Sequence, residues 1–258
     1  MRVQRDRMPI RSGKVYAVIP ARSGSTSVKD KNIRLLGGYP MMAYSIAAAK
    51  MTKEIDRTFV STDSERYREI ALGYGAEAPF LRPAEISGPY STDLEFMKHI
   101  ITWLEENEGE LPEYWVHLRP TSPFRDPSII SKGIGMLLQN PDATCLRSAH
   151  PTDLCPMKWF KIGGNGYYET LCDISPEDAN GPRQNFPPVY IPDGYVDVLK
   201  TEFIINNGKL HGDRILAFQV PPIVDVDYEH EFQDLENSIG DYMGPVMDWL
   251  KNCRDKQL

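Results

Sequence analysis

Metal-finger and disulfide signatures are missing from this sequence. Its four cysteines, Cys145, Cys155, Cys172 and Cys253, form no CxxC pair and have no histidine at finger spacing, so a structural zinc site loses its usual ligand pattern. They read as small buried thiols of a reducing compartment. The five histidines are scattered without an HExxH, which removes the common metallohydrolase arrangement. No stretch approaches the roughly 18 consecutive apolar residues of a membrane helix, and the start, MRVQRDRMPIRSG, lacks the apolar core of a secretory leader. A cytoplasmic protein with no membrane partner is the expectation. Positive charge is also short, with 29 Lys and Arg against 36 Asp and Glu and a formal net charge of −7. A nucleic-acid surface needs clustered cations to displace counterions, so nucleic acid is not an expected partner.

What is present describes an ordinary globular chain. With 41% apolar and 25% charged residues over 258 positions, it can bury a full core and is not disordered. Residues 1–13 are basic and aperiodic, a loose N-terminal arm, and residues 14–258 form the folded domain. Short apolar runs at Val15–Ile19, Thr58–Val60, Trp115–Leu118 and Ala143–Leu146 predict buried strands. Helix starts lie between them: Pro40 before MMAYSIAAAK, Ser64 before ERYREIAL, a Thr92/Glu95 capping box, and Asp126-Pro127 before SIISKGIGMLLQ. Alternation of this kind predicts an α/β fold with a mostly parallel sheet. Residues 150–192 break the rhythm with Pro- and Gly-rich stretches and predict an excursion from the sheet. Regular patterning returns at Tyr195–Leu199, Glu202–Ile205, Ile215–Val220 and Ile223–Val226. A helical tract from Glu231 to Lys251 follows, interrupted near Gly240–Pro245.

Two segments carry chemistry on their own spacing. The run Ile19-Pro20-Ala21-Arg22-Ser23-Gly24-Ser25-Thr26, continuing to Lys31-Asn32, follows the first strand directly. Ligands bind at the carboxyl ends of strands in open α/β sheets, and small residues let backbone N–H groups approach phosphate oxygens. The loop is neither GxxxxGK[ST] nor GxGxxG, so it is a phosphate cradle of another type, or else a solvated basic turn. Arg22, Lys29, Lys31 and Arg34 would supply cations to a triphosphate. The second segment is Val224-Asp225-Val226-Asp227. On a strand, residues i and i+2 share a face, and two adjacent carboxylates invite a hard divalent cation such as Mg²⁺ unless they are simply acids on a wet strand end.

The first loop resembles that of the acylneuraminate cytidylyltransferases, the CMP-sialic acid synthetases. The resemblance continues in order through Ser61-Thr62-Asp63, Leu81-Arg82-Pro83-Ala84-Glu85, Leu118-Arg119-Pro120-Thr121-Ser122-Pro123-Phe124-Arg125, Pro182-Arg183-Gln184 with Asp193-Gly194, and Asp225-Val226-Asp227. It implies a Rossmann-like, doubly wound nucleotidyltransferase domain with an inserted dimerisation segment, hence a homodimer. The implied reaction moves CMP from CTP to the anomeric hydroxyl of a nine-carbon 2-keto sugar acid and releases pyrophosphate. It implies catalytic roles for Arg22 and Lys31, nucleotide contacts from Arg22, Ser23, Gly24, Ser25, Lys31, Asn32, Arg82 and Ser91, and a Mg²⁺ site at Asp225 and Asp227. The implied sugar-side residues are Arg119, Thr121, Ser122, Arg183, Gln184, Tyr190 and Asp193, with Arg183 either a clamp for the sugar carboxylate or an intersubunit ion pair.

Three positions depart from the family wording: Thr26 where a Lys is common, Arg119 where Gln is common, and Asp193 where Asn is common. With Thr26, one phosphate-facing cation is either missing or supplied by Lys29. Exchanging two amides for charged groups changes which sugar substituents are satisfied, so legionaminic or pseudaminic acid types are expected beside sialic acid. A guanylyltransferase, an eight-carbon sugar acid enzyme on the same fold, and a non-catalytic nucleotide-binding regulator are the competing readings.

Overall fold

The computed structural model describes residues 9–25, 27–242 and 244–255. The strands are β1 (Ile10–Pro20), β2 (Leu35–Leu36), β3 (Tyr39–Pro40), β4 (Arg57–Ser61), β5 (Leu111–His117), β6 (Cys145–Thr152), β7 (Phe160–Ile162), β8 (Tyr168–Thr170), β9 (Val189–Lys200) and β10 (Ile215–Gln219). The helices are α1 (Met41–Met51), α2 (Glu65–Gly73), α3 (Asp93–Asn107), α4 (Pro127–Leu138), α5 (Pro176–Ala179), α6 (Thr201–Asn207), α7 (Glu229–Ser238) and α8 (Pro245–Asp255). The described residues build a six-stranded sheet in the order β10-β6-β9-β5-β1-β4, in which β9 alone runs antiparallel.

Both faces of the sheet are covered, because successive strand residues point to opposite sides. Val15, Ala17 and Ile19 enter one core with α1, α4 and α8, while Tyr16 and Val18 enter the other with Phe96, Ile100 and Leu104 of α3 and Ile204 of α6. Helix α1 is buried from Met41 to Ala49, which explains its lack of a polar face. Ser64 caps α2 by accepting the Tyr67 N–H, and Asp126 caps α4 by accepting the Ser128 N–H at 2.8 Å. The Rossmann-like, mostly parallel α/β class expected from the alternation is the class observed.

Two expectations give way, and one patterned run takes a definite form. The loose arm ends at Ile10 rather than Gly13: β1 extends along β5 with Ile10 opposite Leu111 and Arg11 opposite Pro112. Its polar residues suit an exposed strand end, where Arg11 pairs with Glu110 at 2.7 Å and the Gly13 N–H donates to Glu113. The rest of the arm, residues 1–8, lies outside the described residues. Glu202–Ile205 belongs to helix α6, closed by Gly208 in the left-handed conformation at φ +62. Ile223–Val226 forms no strand, because Pro221 and Pro222 cannot donate to a ladder and β10 stops before them.

The connection from β6 to β9 is the excursion. It carries the β7–β8 hairpin and α5, and leaves Trp159, Phe160, Ile162, Tyr167, Tyr168 and Leu171 exposed. Where β9 returns, Pro192 faces Ala149 and Asp197 faces Arg147, so residues 193–196 bulge opposite Ser148. The chain goes from β1 to β4 on one side and then to β5 on the other, placing the reversal of strand order between β1 and β5. That is where open α/β sheets take ligands.

Candidate active site

Loops from the carboxyl ends of β1, β4 and β5 meet at that point, joined by the segment before α7. The β1 loop is held from within. Asp63, at the end of β4, accepts the Ser23 N–H at 2.6 Å and the Ser23 hydroxyl at 2.7 Å, while Asn32 Nδ2 donates to the Arg22 carbonyl at 2.9 Å. Gly24 sits at φ +70, a conformation that favours glycine. Arg22, Ser25, Lys31 and Asn32 line the resulting cleft; Ser23 and Gly24 shape the loop instead. Lys31 Nζ donates to the Val226 carbonyl at 2.6 Å and pairs with Asp227 Oδ1 at 3.2 Å. Of the other expected cations, Lys29 is exposed outside the lining, and Arg34 pairs with Glu229 at 2.6 Å over the Phe232 ring. Thr26 lies outside the described residues.

The β4 loop contributes Arg82, buried against Phe96 and donating to the Ser61 hydroxyl and carbonyl at 3.1 and 2.6 Å. Burial lowers its pKa to about 10, so the group stays cationic at neutral pH. Ser91, Thr92 and Asp93 follow along the cleft wall, where Glu95 accepts the Thr92 N–H at 2.5 Å as α3 begins.

From β5, Arg119 and Thr121 line the cleft, whereas Ser122 is buried and donates to Asp225 at 3.2 Å. Arg119 Nη2 donates to Asp93 Oδ2 at 2.8 Å and its Nη1 to Asp197 Oδ2 at 3.1 Å; Arg147 Nε reaches Asp197 Oδ1 at 3.3 Å. Burial alone would raise the Asp93 carboxyl, but positive charge facing it, from His117 when that ring is protonated and from Arg119 and Arg82 throughout, outweighs burial and holds it below the usual range. Arg125 is fully enclosed and donates to the carbonyls of Tyr195, Arg119 and Gly194 and to the Ser45 hydroxyl. It ties the β5 loop to the β9 bulge. Gly194 is required there, since a Cβ would lie 2.5 Å from Ser122 Oγ.

Asp193, expected on the sugar, is corrected to a buried brace of the bulge. Its oxygens take Ser148 Oγ at 2.5 Å, the Tyr195 N–H at 3.1 Å and His150 Nδ1 at 3.1 Å. Arg183, Gln184 and Tyr190 stand away from the cleft on the excursion, where Arg183 reaches the Asp153 and Phe186 carbonyls, both at 3.4 Å. The acidic pair also departs from the same-face geometry. Asp225 turns to Ser122, while Asp227 faces Lys31 in the cleft with its side chain 67% exposed. Among the described residues no three His, Cys, Asp or Glu side chains gather into a metal cluster. Asp227, an exposed carboxylate lining a cationic cleft, fits Mg²⁺, which commonly takes one or two carboxylates and completes its shell with phosphate oxygens, with Asp225 two residues away as the second acid.

Ser27, Thr92, Asp93 and Phe96 line the cleft without having been singled out in the sequence. Thr92 was legible only as a helix start, through its capping box with Glu95.

The family model described as Cytidylyltransferase matches residues 16–170. An N-acylneuraminate cytidylyltransferase of Escherichia coli O18:K1:H7 is 39% identical over 121 residues, 47% of this chain and 27% of the relative. A CMP-N,N'-diacetyllegionaminic acid synthase of Legionella pneumophila is 28% identical over 222 residues, 83% of this chain and 91% of the relative. The chain spans about half or less of the length of the first curated relatives it matches. Among solved structures, a CMP:2-keto-3-deoxy-manno-octonic acid synthetase complexed with CTP superposes with a TM-score of 0.65 at 15% identity, covering 89% of this chain and 100% of that one. At that identity the likeness is one of fold.

Proposed function

The chain belongs to the cytidylyltransferase family, and from that premise we propose that it moves CMP from CTP to the anomeric hydroxyl of a nine-carbon 2-keto sugar acid, releasing pyrophosphate. The observation that carries this reading is the cleft at the β1/β5 reversal, where Arg22, Lys31 and Arg82 converge beside Asp227. Arg22 and Lys31 face the triphosphate, and Asn32, Arg82 and Ser91 face the nucleoside. In the transfer, the anomeric oxygen bonds to the α-phosphorus and loses its proton, while the bond from that phosphorus to the pyrophosphate oxygen breaks. Negative charge grows on the leaving pyrophosphate. Such reactions depend on positioning and charge stabilisation, and Lys31 is preorganised for both by its bond to the Val226 carbonyl. Asp225 and Asp227 would hold Mg²⁺ together with phosphate oxygens. When bound, the ion supplies Lewis acidity toward the phosphates and the acceptor hydroxyl.

Arg119 is already engaged by Asp93 and Asp197, so the acceptor's carboxylate is assigned to a cation from outside this protomer's own cleft. The exposed apolar hairpin β7–β8 supports a homodimer in which the excursion of one subunit carries Arg183, Gln184 and Tyr190 to the cleft of the other. Arg183 then grips the carboxylate by a two-pronged pair. The match of a legionaminic acid synthase over 91% of its own length supports a legionaminic or related acid beside sialic acid. Pyrophosphate release with Mg²⁺ tests this, crossing CTP, UTP, GTP and ATP with sialic, legionaminic, pseudaminic and eight-carbon acids. Signal confined to CTP with a nine-carbon acid is expected. Signal with GTP, or with the eight-carbon acid alone, would sink the proposal, as would nucleotide binding without turnover.

A further inference from the structure

Besides Asp227, which pairs with Lys31, the cleft read as a triphosphate site is lined by a second carboxylate, Asp93, which a phosphate would meet as like charge. Asp93, its side chain 38% exposed, opens α3 on the cleft wall beside Ser91 and Thr92, with the buried Phe96 one turn later. A carboxylate only accepts hydrogen bonds, and against a phosphate it would meet like charge. The phosphate-type cations Arg22 and Lys31 come from the β1 loop, whereas Asp93 enters from α3. The part of the ligand that meets Asp93 must therefore be neutral and must donate.

The surroundings of Asp93 orient it for such a role. Arg119 holds Oδ2 at 2.8 Å, and Arg119 is itself anchored at 3.1 Å to the fully buried Asp197, whose other oxygen takes Arg147. Asp197 and Asp93 balance Arg119 and Arg147 in charge. The α3 terminus is capped by Thr92 and Glu95, so the cap does not depend on the Asp93 side chain. We propose that Asp93, braced by Arg119, is a specificity-determining residue that accepts a hydrogen bond from a neutral O–H or N–H donor of the nucleoside, either a ribose hydroxyl or the exocyclic amine of the base. This inference rests on the nucleotidyl-transfer reading of the same cleft.

Calorimetric titration of the full chain with CTP, 2′-deoxy-CTP, 3′-deoxy-CTP and UTP tests it, in the unaltered protein and in D93S and D93N. Unchanged thermal midpoints identify folded variants, and the serine keeps a side chain suited to a helix start. The unaltered protein is expected to bind CTP about tenfold to a hundredfold more tightly than the analogue lacking the donor, the span of a hydrogen bond to a charged group. D93S collapses that preference to within about threefold while inhibition by tripolyphosphate is unchanged. Loss of the preference over a deoxy analogue assigns the ribose hydroxyl; loss of the preference over UTP assigns the amine. R119Q is expected to shift the same preference in the same direction but less. Retention of every preference by both folded Asp93 variants, or no preference in the unaltered protein, overturns the inference and leaves the transfer reading standing. No CTP binding by the unaltered protein overturns the transfer reading, and the inference with it.

Discussion

At the scale of single residues, side chains that look alike in the sequence divide into those that face the cleft and those that hold it open. Asp227 is of the first kind. Its side chain is largely exposed, and the Lys31 ammonium keeps a second anchor on the Val226 carbonyl, so D227A is expected to lower kcat by more than about a hundredfold with little change in thermal midpoint. Steady-state pyrophosphate release beside a melting curve checks both halves. Gly194 is of the second kind. A methyl there meets Ser122 Oγ at 2.5 Å, and the Gly194 carbonyl holds Arg125. G194A should cost about 1–3 kcal/mol in urea unfolding, as overpacking does. G24A, with nothing within 4 Å of the new methyl and only its φ of +70 to strain, should cost about 1 kcal/mol.

At the scale of elements, the carboxyl end of β5 carries an unusual histidine. His117 is fully buried with Nε2 unpartnered, and burial pushes its pKa down to about 4. An unfolded chain takes up this proton near pH 6.5, and the folded chain refuses it until about 4. Its contribution to stability is therefore complete above pH 6.5 and lost as pH falls toward 4, reaching about 3 kcal/mol. Denaturant melts at pH 7 and pH 4.5 should show H117L losing less stability on acidification than the unaltered protein; equal losses would remove the assignment. The helix starts at Ser64, Thr92 and Asp126 were legible because capping is a local interaction within three residues. The element type of Glu202–Ile205 was not, because a three-residue apolar run, Phe203–Ile205, fits helix and strand alike. Tertiary contact settles it, with Thr201 Oγ1 donating to the Pro112 carbonyl at the head of α6.

At the scale of the whole molecule, the excursion raises the question of a second copy. Ile162 and Tyr167 are 75% and 73% exposed, far more than a lone hairpin tolerates without a partner. On the dimer proposed above, I162D is expected to shift sedimentation from dimer to monomer and to abolish turnover. Mixing K31A and R183A chains, each inactive alone, should restore about a quarter of the normal rate, because half the dimers are mixed and each of those carries one intact site. No recovery on mixing would place Arg183 in the service of its own subunit.

The sequence by itself determined the alternation of strands and helices, the capped helix starts, and the loop wording that places Arg22, Lys31, Asn32 and Arg82 at one edge of a parallel sheet. Those features rest on local propensity and on periodicity, which a linear reading captures. Only the tertiary structure decided the strand order, the antiparallel β9 with its bulge, and which polar residues line the cleft. Ser23, Arg125 and Asp193 belong to ligand-like motifs, yet each satisfies buried partners of its own chain. Asp93 belongs to a helix cap, yet faces the cleft. The reason is physical. A buried polar group must find a hydrogen-bond partner wherever the fold supplies one, and the partners just named for Ser23, Arg125 and Asp193 lie 40, 70 and 45 positions away in the chain.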